Sequence, residues 1–421
     1  MPAHDLVVTG IGIVCPLGRT LQEVWKAVTQ GKSGIRRISA FDPQGVPSDI
    51  AGEITDFDPG EVVRPRKALK LMSRDSQLAV AASILAWEEA GLTATAVDPD
   101  RIGVVLGAER MSGSLEASEN PYRACYEGGV FQQALWATKA LPQSAPLEFL
   151  KTLPNMVSAH VSIACDARGP NNTIHHGDVS GHLALAEGMA ILRRGLADVV
   201  LAGGASARIR PYDWVGLSGI GELASANGRP PGEVCRPFDR RRSGQVIGEG
   251  ACVLVLERRD HAEARRANIQ GELVAAASAF APPGEKPPSL PGLEQVVTLT
   301  VQRARLNFQA LAFGIAHGLG TREDDMREAQ SWHRLIPGLP LCGLKGYFGN
   351  LGAAAGPVEV ALALKSLAEG CLPGTLNYEF PDPHCPVAIS RCPRSIRGSS
   401  AVVVGFTRAG QAAALLVRSP N

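Results

Sequence analysis

Aromatic side chains are scarce in this 421-residue chain, at 5% of the total, and neither sign of charge dominates, with 42 basic residues against 41 acidic ones. The first scarcity argues against a stacking surface for bases, and the second against a nucleic-acid or membrane face built on charge. No uninterrupted apolar run reaches the roughly 18 residues that a bilayer-spanning helix needs. Nine cysteines, at 15, 125, 165, 235, 252, 342, 371, 385 and 392, include no CxxC pair, and their number is odd. They read as reduced thiols. The first residues, MPAHDLVVTGIG, begin directly with a strand pattern and have no basic-then-apolar leader. A soluble cytoplasmic protein is the expectation.

Glycine is plentiful, at 46 residues, which suits close packing of helices on sheets. Short apolar runs bounded by glycine recur at 6–10, 102–107, 198–204, 252–256, 401–406 and 413–417. They have the composition of strands buried on both faces. Helical periodicity fills the spaces between them, at 76–90, 182–195, 260–267, 293–306 and 358–368. That alternation predicts an α/β fold with helices on both faces of the sheet. Residues 109–150 have no clean period and carry Gly, Ser, Pro and bulky aromatics, the pattern of an insertion or cap beside a channel. The Pro/Gly-rich stretch 281–292 reads as a loop. The divide between two halves, 1–258 and 259–421, falls near residue 258.

One stretch looks like a metal site. In IHHGDVSGH, residues 174–182, three histidines and a carboxylate sit close together, and Asp178 and His182 share a helix face at i, i+4. On an incoming strand, however, His175 and His176 point to opposite faces and leave too few ligands on one side. They read as core or interface histidines. Asp178 reads most simply as the cap of a helix beginning near Val179, with an acid/base role as the sharper alternative. Cys165, upstream on another segment, reads as a buried apolar residue.

The order of motifs is more specific than any one of them. VVTGIGIVCPLG (7–18), PNMVSAHVSI (154–163), GPNNTIHHGDVSGH (169–182) and ADVVLAGGAS (197–206) precede CRPFDRRRSGQVIGEGACVLVLE (235–257). After these come AHGLGT (316–321), LKGYFGNLGAAAGPVE (344–359), LPGTLNYEFPDP (372–383) and VVVGFTRAG (402–410). Over nearly its whole length the chain closely resembles the elongating β-ketoacyl-[acyl-carrier-protein] synthases. The resemblance implies a thiolase fold, two related halves packed as a five-layer α/β/α/β/α sandwich. It also implies a dimer, formed through the strand near Ala164.

In that family a cysteine on a strand-to-helix turn carries the acyl chain, two histidines and a lysine serve the malonyl unit, and threonines flank the pantetheine arm. Carried over residue by residue, the resemblance puts Asp178 at the nucleophile position. His317 is the first histidine, Lys345 the lysine, and Asn350 stands where the second histidine would be. Thr321 is the remaining pantetheine threonine, because Leu319 has taken the place of the other. Phe406 and Arg408 lie in the gating segment, where the family's glycine-rich run reads Gly405-Phe406-Thr407-Arg408-Ala409-Gly410. No metal and no resident cofactor are implied, since the substrates ride on the phosphopantetheine of an acyl carrier protein. A carboxylate cannot replace a thiol in transthioesterification. The expectation is therefore a non-condensing partner of an active ketosynthase, like a chain-length factor. The alternative is an enzyme that uses Asp178, His317 and Asn350 on carrier-bound acyl or malonyl thioesters.

Overall fold

The computed structural model describes residues 5–93, 97–109, 115–220, 222–282 and 290–420. Ten strands and six helices carry the architecture. In the first half they are β1 (Leu6–Val14), α1 (Arg74–Glu89), β2 (Ile102–Gly107), α2 (Met156–Cys165), β3 (Asn171–Ile174), α3 (Ser180–Arg193), β4 (Val199–Ala207) and β5 (Glu249–Arg258). In the second they are β6 (Gly271–Phe280), α4 (Pro291–Arg303), β7 (Leu311–Ala316), α5 (Arg322–Leu335), β8 (Pro340–Gly343), α6 (Ala355–Glu369), β9 (Ser400–Phe406) and β10 (Gln411–Arg418).

The duplication lies in the topology. Strand order is β1-β5-β4-β2-β3 in the first half and β6-β10-β9-β7-β8 in the second. Corresponding pairs run the same way: β2 is parallel to β3 and β4, as β7 is to β8 and β9, and the remaining pairs are antiparallel. The two sheets meet edge to edge where Val7 and Val8 of β1 face Glu272 and Gly271 of β6.

The apolar strands are buried on both faces because each separates two cores. Val104 of β2, Val199 and Leu201 of β4, and Val253 and Val255 of β5 pack outward beneath α1 and α2. Their neighbours Val105, Val200, Ala202 and Leu254 turn inward onto α3 and α6. In the second half Val402 and Val404 face α4 and Trp332 of α5, while Ala401 and Val403 face the shared centre. Helices α3 and α6 are thus the middle layer of the five that the resemblance implied.

Two expectations are corrected here. Ala164 lies in helix α2 and not on a strand; the free edge of the first sheet is β3, where Asn171 and Asn172 are exposed. That strand stops at Ile174, so His175 and His176 do not alternate across a pleat. They follow the strand on an exposed segment and are not core residues. Within 109–150, residues 110–114 lie outside the described residues. The remainder is a helix at Leu115–Arg123, a two-residue hairpin and a chain of short helical turns. Most of the Pro/Gly loop, 283–289, also lies outside the described residues. No described helix is long and apolar enough to cross a membrane.

Candidate active site

Asp178 stands in a single 3-10 turn, Gly177–Val179, that joins β3 to α3. Gly177 opens the turn at φ +58, a backbone conformation that side chains resist. Asp178 does not cap the helix. The Ser180 hydroxyl closes the turn instead, donating to the Gly177 carbonyl at 2.6 Å and accepting from the His176 N–H at 2.8 Å. With its capping role filled locally, Asp178 turns toward the second half of the chain.

Its carboxylate meets three residues from three separate segments, Asn350 and His317 of the second half and Arg208 of the first. Asn350 Nδ2 donates to Oδ2 at 2.8 Å, Arg208 Nη1 donates to Oδ1 at 3.4 Å, and His317 Nε2 lies 3.8 Å from Oδ2. Asn350 is itself held by the backbone: its N–H donates to the Val246 carbonyl and its Oδ1 accepts from the Gly352 N–H. Since Oδ1 is thereby fixed as the acceptor, Nδ2 must face the carboxylate.

His317 is buried and neutral. Burial, then the nearby Lys345 charge, hold its pKa well below the usual histidine range. Lys345 Nζ donates to the His317 carbonyl and approaches Nδ1 at 3.3 Å. An ammonium can only donate, so Nδ1 is the acceptor and Nε2 carries the proton toward Asp178. Lys345 in turn is paired with Glu359 at 2.9 Å, and neither side chain is exposed. Glu328 secures the turn by accepting from the His317 and Gly318 N–H groups and from the Trp332 indole. Phe406 packs on the His317 ring at 4.5 Å between centroids.

His182 lies wholly inside, below Asp178 on α3. Burial, together with the Lys345 charge, lowers its pKa to about 3. A Cβ on Gly356 would lie 2.3 Å from its Nδ1, so the neighbouring helix can pass only as glycine. No three His, Cys, Asp or Glu side chains are grouped to hold a metal ion among the described residues.

The residues expected at the pantetheine arm are distributed differently. Thr321 is buried, and its hydroxyl caps α5 by accepting from the Asp324 N–H and donating to the Asp324 carboxylate at 2.9 Å. Leu319 is also buried. Arg408 is clamped to Asp324 at 2.7 Å and to Glu222, and it borders a cavity of about 200 Å3 with Phe406.

Two charged neighbours of the turn were not anticipated. Glu109 follows β2 and Arg208 follows β4, and these parallel strands bring Arg208 against both Asp178 and Glu109. The usable signal was a charged residue just past the carboxyl end of a buried strand, where α/β sheets place their ligands. Glu109 Oε1 accepts from the Ala353 N–H at 2.8 Å, and Oε2 lies 3.6 Å from Arg208. Burial pushes the Glu109 pKa up to about 7 against the pull of Arg208.

A raised carboxyl pKa means that the folded state holds its proton more tightly than the unfolded chain. Its contribution is complete below about 4.5 and is lost as pH climbs through about 7. Glu109→Gln keeps the acceptor for Ala353 but removes the ionisation. Urea unfolding is therefore expected to favour Gln over Glu more strongly at pH 8 than at pH 5. A wild-type-minus-variant difference that is constant across this range would contradict the assignment.

Residues 3–262 match the beta-ketoacyl synthase, N-terminal domain, and residues 270–379 match the beta-ketoacyl synthase, C-terminal domain. The chain belongs to the beta-ketoacyl synthase family. It is 34% identical over 426 residues to the tetracenomycin polyketide synthase ketoacyl synthase alpha subunit of Streptomyces glaucescens, covering 98% of this chain and 97% of that one. Among solved structures, a beta-ketoacyl synthase from Burkholderia phymatum STM815 superposes with a TM-score of 0.88 at 27% identity, over 99% of this chain and all of the other. The ishigamide ketosynthase/chain length factor does so with 0.87 at 25% identity, over the full length of both. The five-layer arrangement is therefore the thiolase-like ketosynthase fold, and the turn at Asp178 lies in a ketosynthase-like biosynthetic protein.

Proposed function

We propose that this ketosynthase-like protein does not condense acyl chains and instead acts as the chain-length-factor-like partner of an active β-ketoacyl synthase. The observation that carries the reading is the engagement of Asp178: one carboxylate oxygen is held by Asn350 and the other by Arg208. By the motif correspondence this turn is where the family keeps its nucleophilic cysteine. A carboxylate whose two oxygens are engaged by donors there is a weak nucleophile. Five of the thiols elsewhere are poor substitutes. Burial pushes those of Cys15, Cys165, Cys235, Cys342 and Cys385 up to about 12, far from thiolate formation at neutral pH.

A surface for such a partner is present. The open edge of β3 adjoins Ile163 of α2, which is 74% exposed, and the 109–150 segment adds exposed Tyr122, Tyr126 and Phe149. An unpaired strand edge beside apolar side chains favours pairing with a second subunit. The proposed partners are an acyl carrier protein and a second thiolase-fold subunit, an active ketosynthase in preference to a second copy of this chain.

A second reading rests on the two neutral donors, His317 Nε2 and Asn350 Nδ2, that converge on one Asp178 oxygen. Such a pair can also stabilise the enolate of a decarboxylating malonyl thioester.

Intact-mass analysis tests the absence of condensation, and carbon dioxide release separates the two readings. After incubation with acyl-carrier protein or a ketosynthase-directed epoxide, the 174–182 peptide is expected to carry no adduct. A stoichiometric adduct there would end the non-condensing reading. Release of carbon dioxide from malonyl-carrier protein by the isolated chain, abolished by Asn350→Ala, would favour the second reading.

A further inference from the structure

Three donors converge on the Asp178 carboxylate, and each is held in place by contacts that do not involve it. Asn350 is oriented through Oδ1 by the Gly352 N–H, and its Nδ2 also donates to Gln245 Oε1 at 3.1 Å. Arg208 Nη2 donates to the Asn350 carbonyl at 2.8 Å. His317 is fixed by Lys345 and by Phe406 against its ring. Its buried Nε2 has no hydrogen-bond partner among the described residues and lies 3.8 Å from Asp178 Oδ2. Asp178 is the most exposed of the four. Its side chain is 18% exposed, against 10% for Arg208 and 1% for His317, and Asn350 is buried. The carboxylate therefore stands between solvent and the donors, and removing it uncovers them.

We infer that Arg208, Asn350 and His317 form a carboxylate-binding site, and that Asp178 occupies it as an internal ligand. The inference rests on this geometry and not on the chain-length-factor reading. The fold has little other use for Asp178. Ser180 already closes the turn, and Arg208 has a second carboxyl group, that of Glu109, at 3.6 Å. The donors also distinguish a carboxylate from its neutral relatives. They divide between its two oxygens, Arg208 on Oδ1 and the other two facing Oδ2. An amide of the same shape would turn its NH2 toward a donor in either orientation and leave a buried donor without an acceptor. Because the donors are positioned in advance, an anion that enters the site need not order them. In the wild type the site is filled, so the carboxylate of a malonyl group finds no seat at the turn.

The test removes the internal ligand and supplies its head group from solution. Asp178→Gly, as the full chain with any partner that co-purifies, is unfolded in urea with sodium formate or formamide. Sodium chloride keeps the ionic strength constant throughout. Formate is expected to stabilise Asp178→Gly saturably, raising the folded-to-unfolded ratio about elevenfold at about ten times its Kd. Formamide should bind about tenfold or more weakly, the scale of a hydrogen bond to a charged group. The wild type should gain nothing from formate beyond its response to chloride. Adding Arg208→Met to Asp178→Gly should bring formate and formamide within about twofold of each other. Asp178→Ala takes the same measurements if the glycine variant misfolds. Equal effects of formate and formamide on the variant, or a formate effect as large in the wild type, would overturn the inference and leave the chain-length-factor reading standing. Failure of both variants to fold would overturn it too, because Asp178 would then be a structural member of the turn.

Discussion

Asp178→Cys alone is expected to leave condensation of malonyl- and acyl-carrier protein at least about 10³-fold below that of a working ketosynthase, even if the new thiol is acylated. The helix N-terminus that activates a thiol is present at Gly177–Val179; the rest of the site is not arranged for the second half-reaction. Asn350 supplies one amide donor where the family uses an imidazole, and losing an acid/base or oxyanion group costs about 10²–10³-fold. Leu319 offers no hydroxyl, and Thr321 uses its own to cap α5. Arg408 is tied to Asp324 and Glu222, which narrows the approach beside Phe406. Adding Leu319→Thr and Asn350→His to Asp178→Cys should raise the rate above that of the single variant. Condensation by Asp178→Cys alone at a rate comparable to an active synthase would mean that the site had lost a single group, and the non-condensing reading would fall.

Lys345→Met should lower the unfolding free energy by about 3–5 kcal/mol, the usual consequence of leaving a buried charge unpaired. Glu359 is fully buried, and its pKa already stands at about 7, raised by burial and drawn down by Lys345. Without the ammonium it rises further. A carboxyl group whose folded pKa is raised gives up stability as pH climbs through that value, so the variant should lose more at pH 8 than at pH 6. Lys345→Met/Glu359→Gln should recover most of the loss, because no charge is left behind. Urea unfolding at both pH values decides the matter. A single variant within about 1 kcal/mol of wild type, as for an exposed pair, would show that the pair contributes little. The same ammonium sets the His317 tautomer, so Lys345→Met should also blunt any chemistry that uses the Nε2 proton.

The arrangement of the fold was legible along the chain wherever burial is two-sided. The apolar runs at 102–107 and 401–406 became β2 and β9 with little or no change of bounds, because a strand between two helical layers must be apolar at every position. Elements that depend on an edge or a turn were misread. Ala164 was placed on a strand and proved helical, and the strand expected to carry His175 ended one residue earlier. Edge and turn positions are only partly covered, so their hydrophobic pattern does not identify the element.

For the site, the sequence alone determined which residue types would meet. The ordered motifs brought Asp178, His317, Lys345 and Asn350 into one turn-rich centre, because glycines at tight approaches are demanded by the backbone and stay visible in the chain. What those residues do to one another was decided only in three dimensions. Ser180 took over the local hydrogen bonds and released Asp178 from capping. Two parallel strands then brought Glu109 and Arg208, 99 residues apart in the chain, against one another and set Arg208 on the Asp178 carboxylate. Periodicity reports which side of an element faces a core, but the partner of a buried charge is set by strand order, and strand order is a property of the folded sheet.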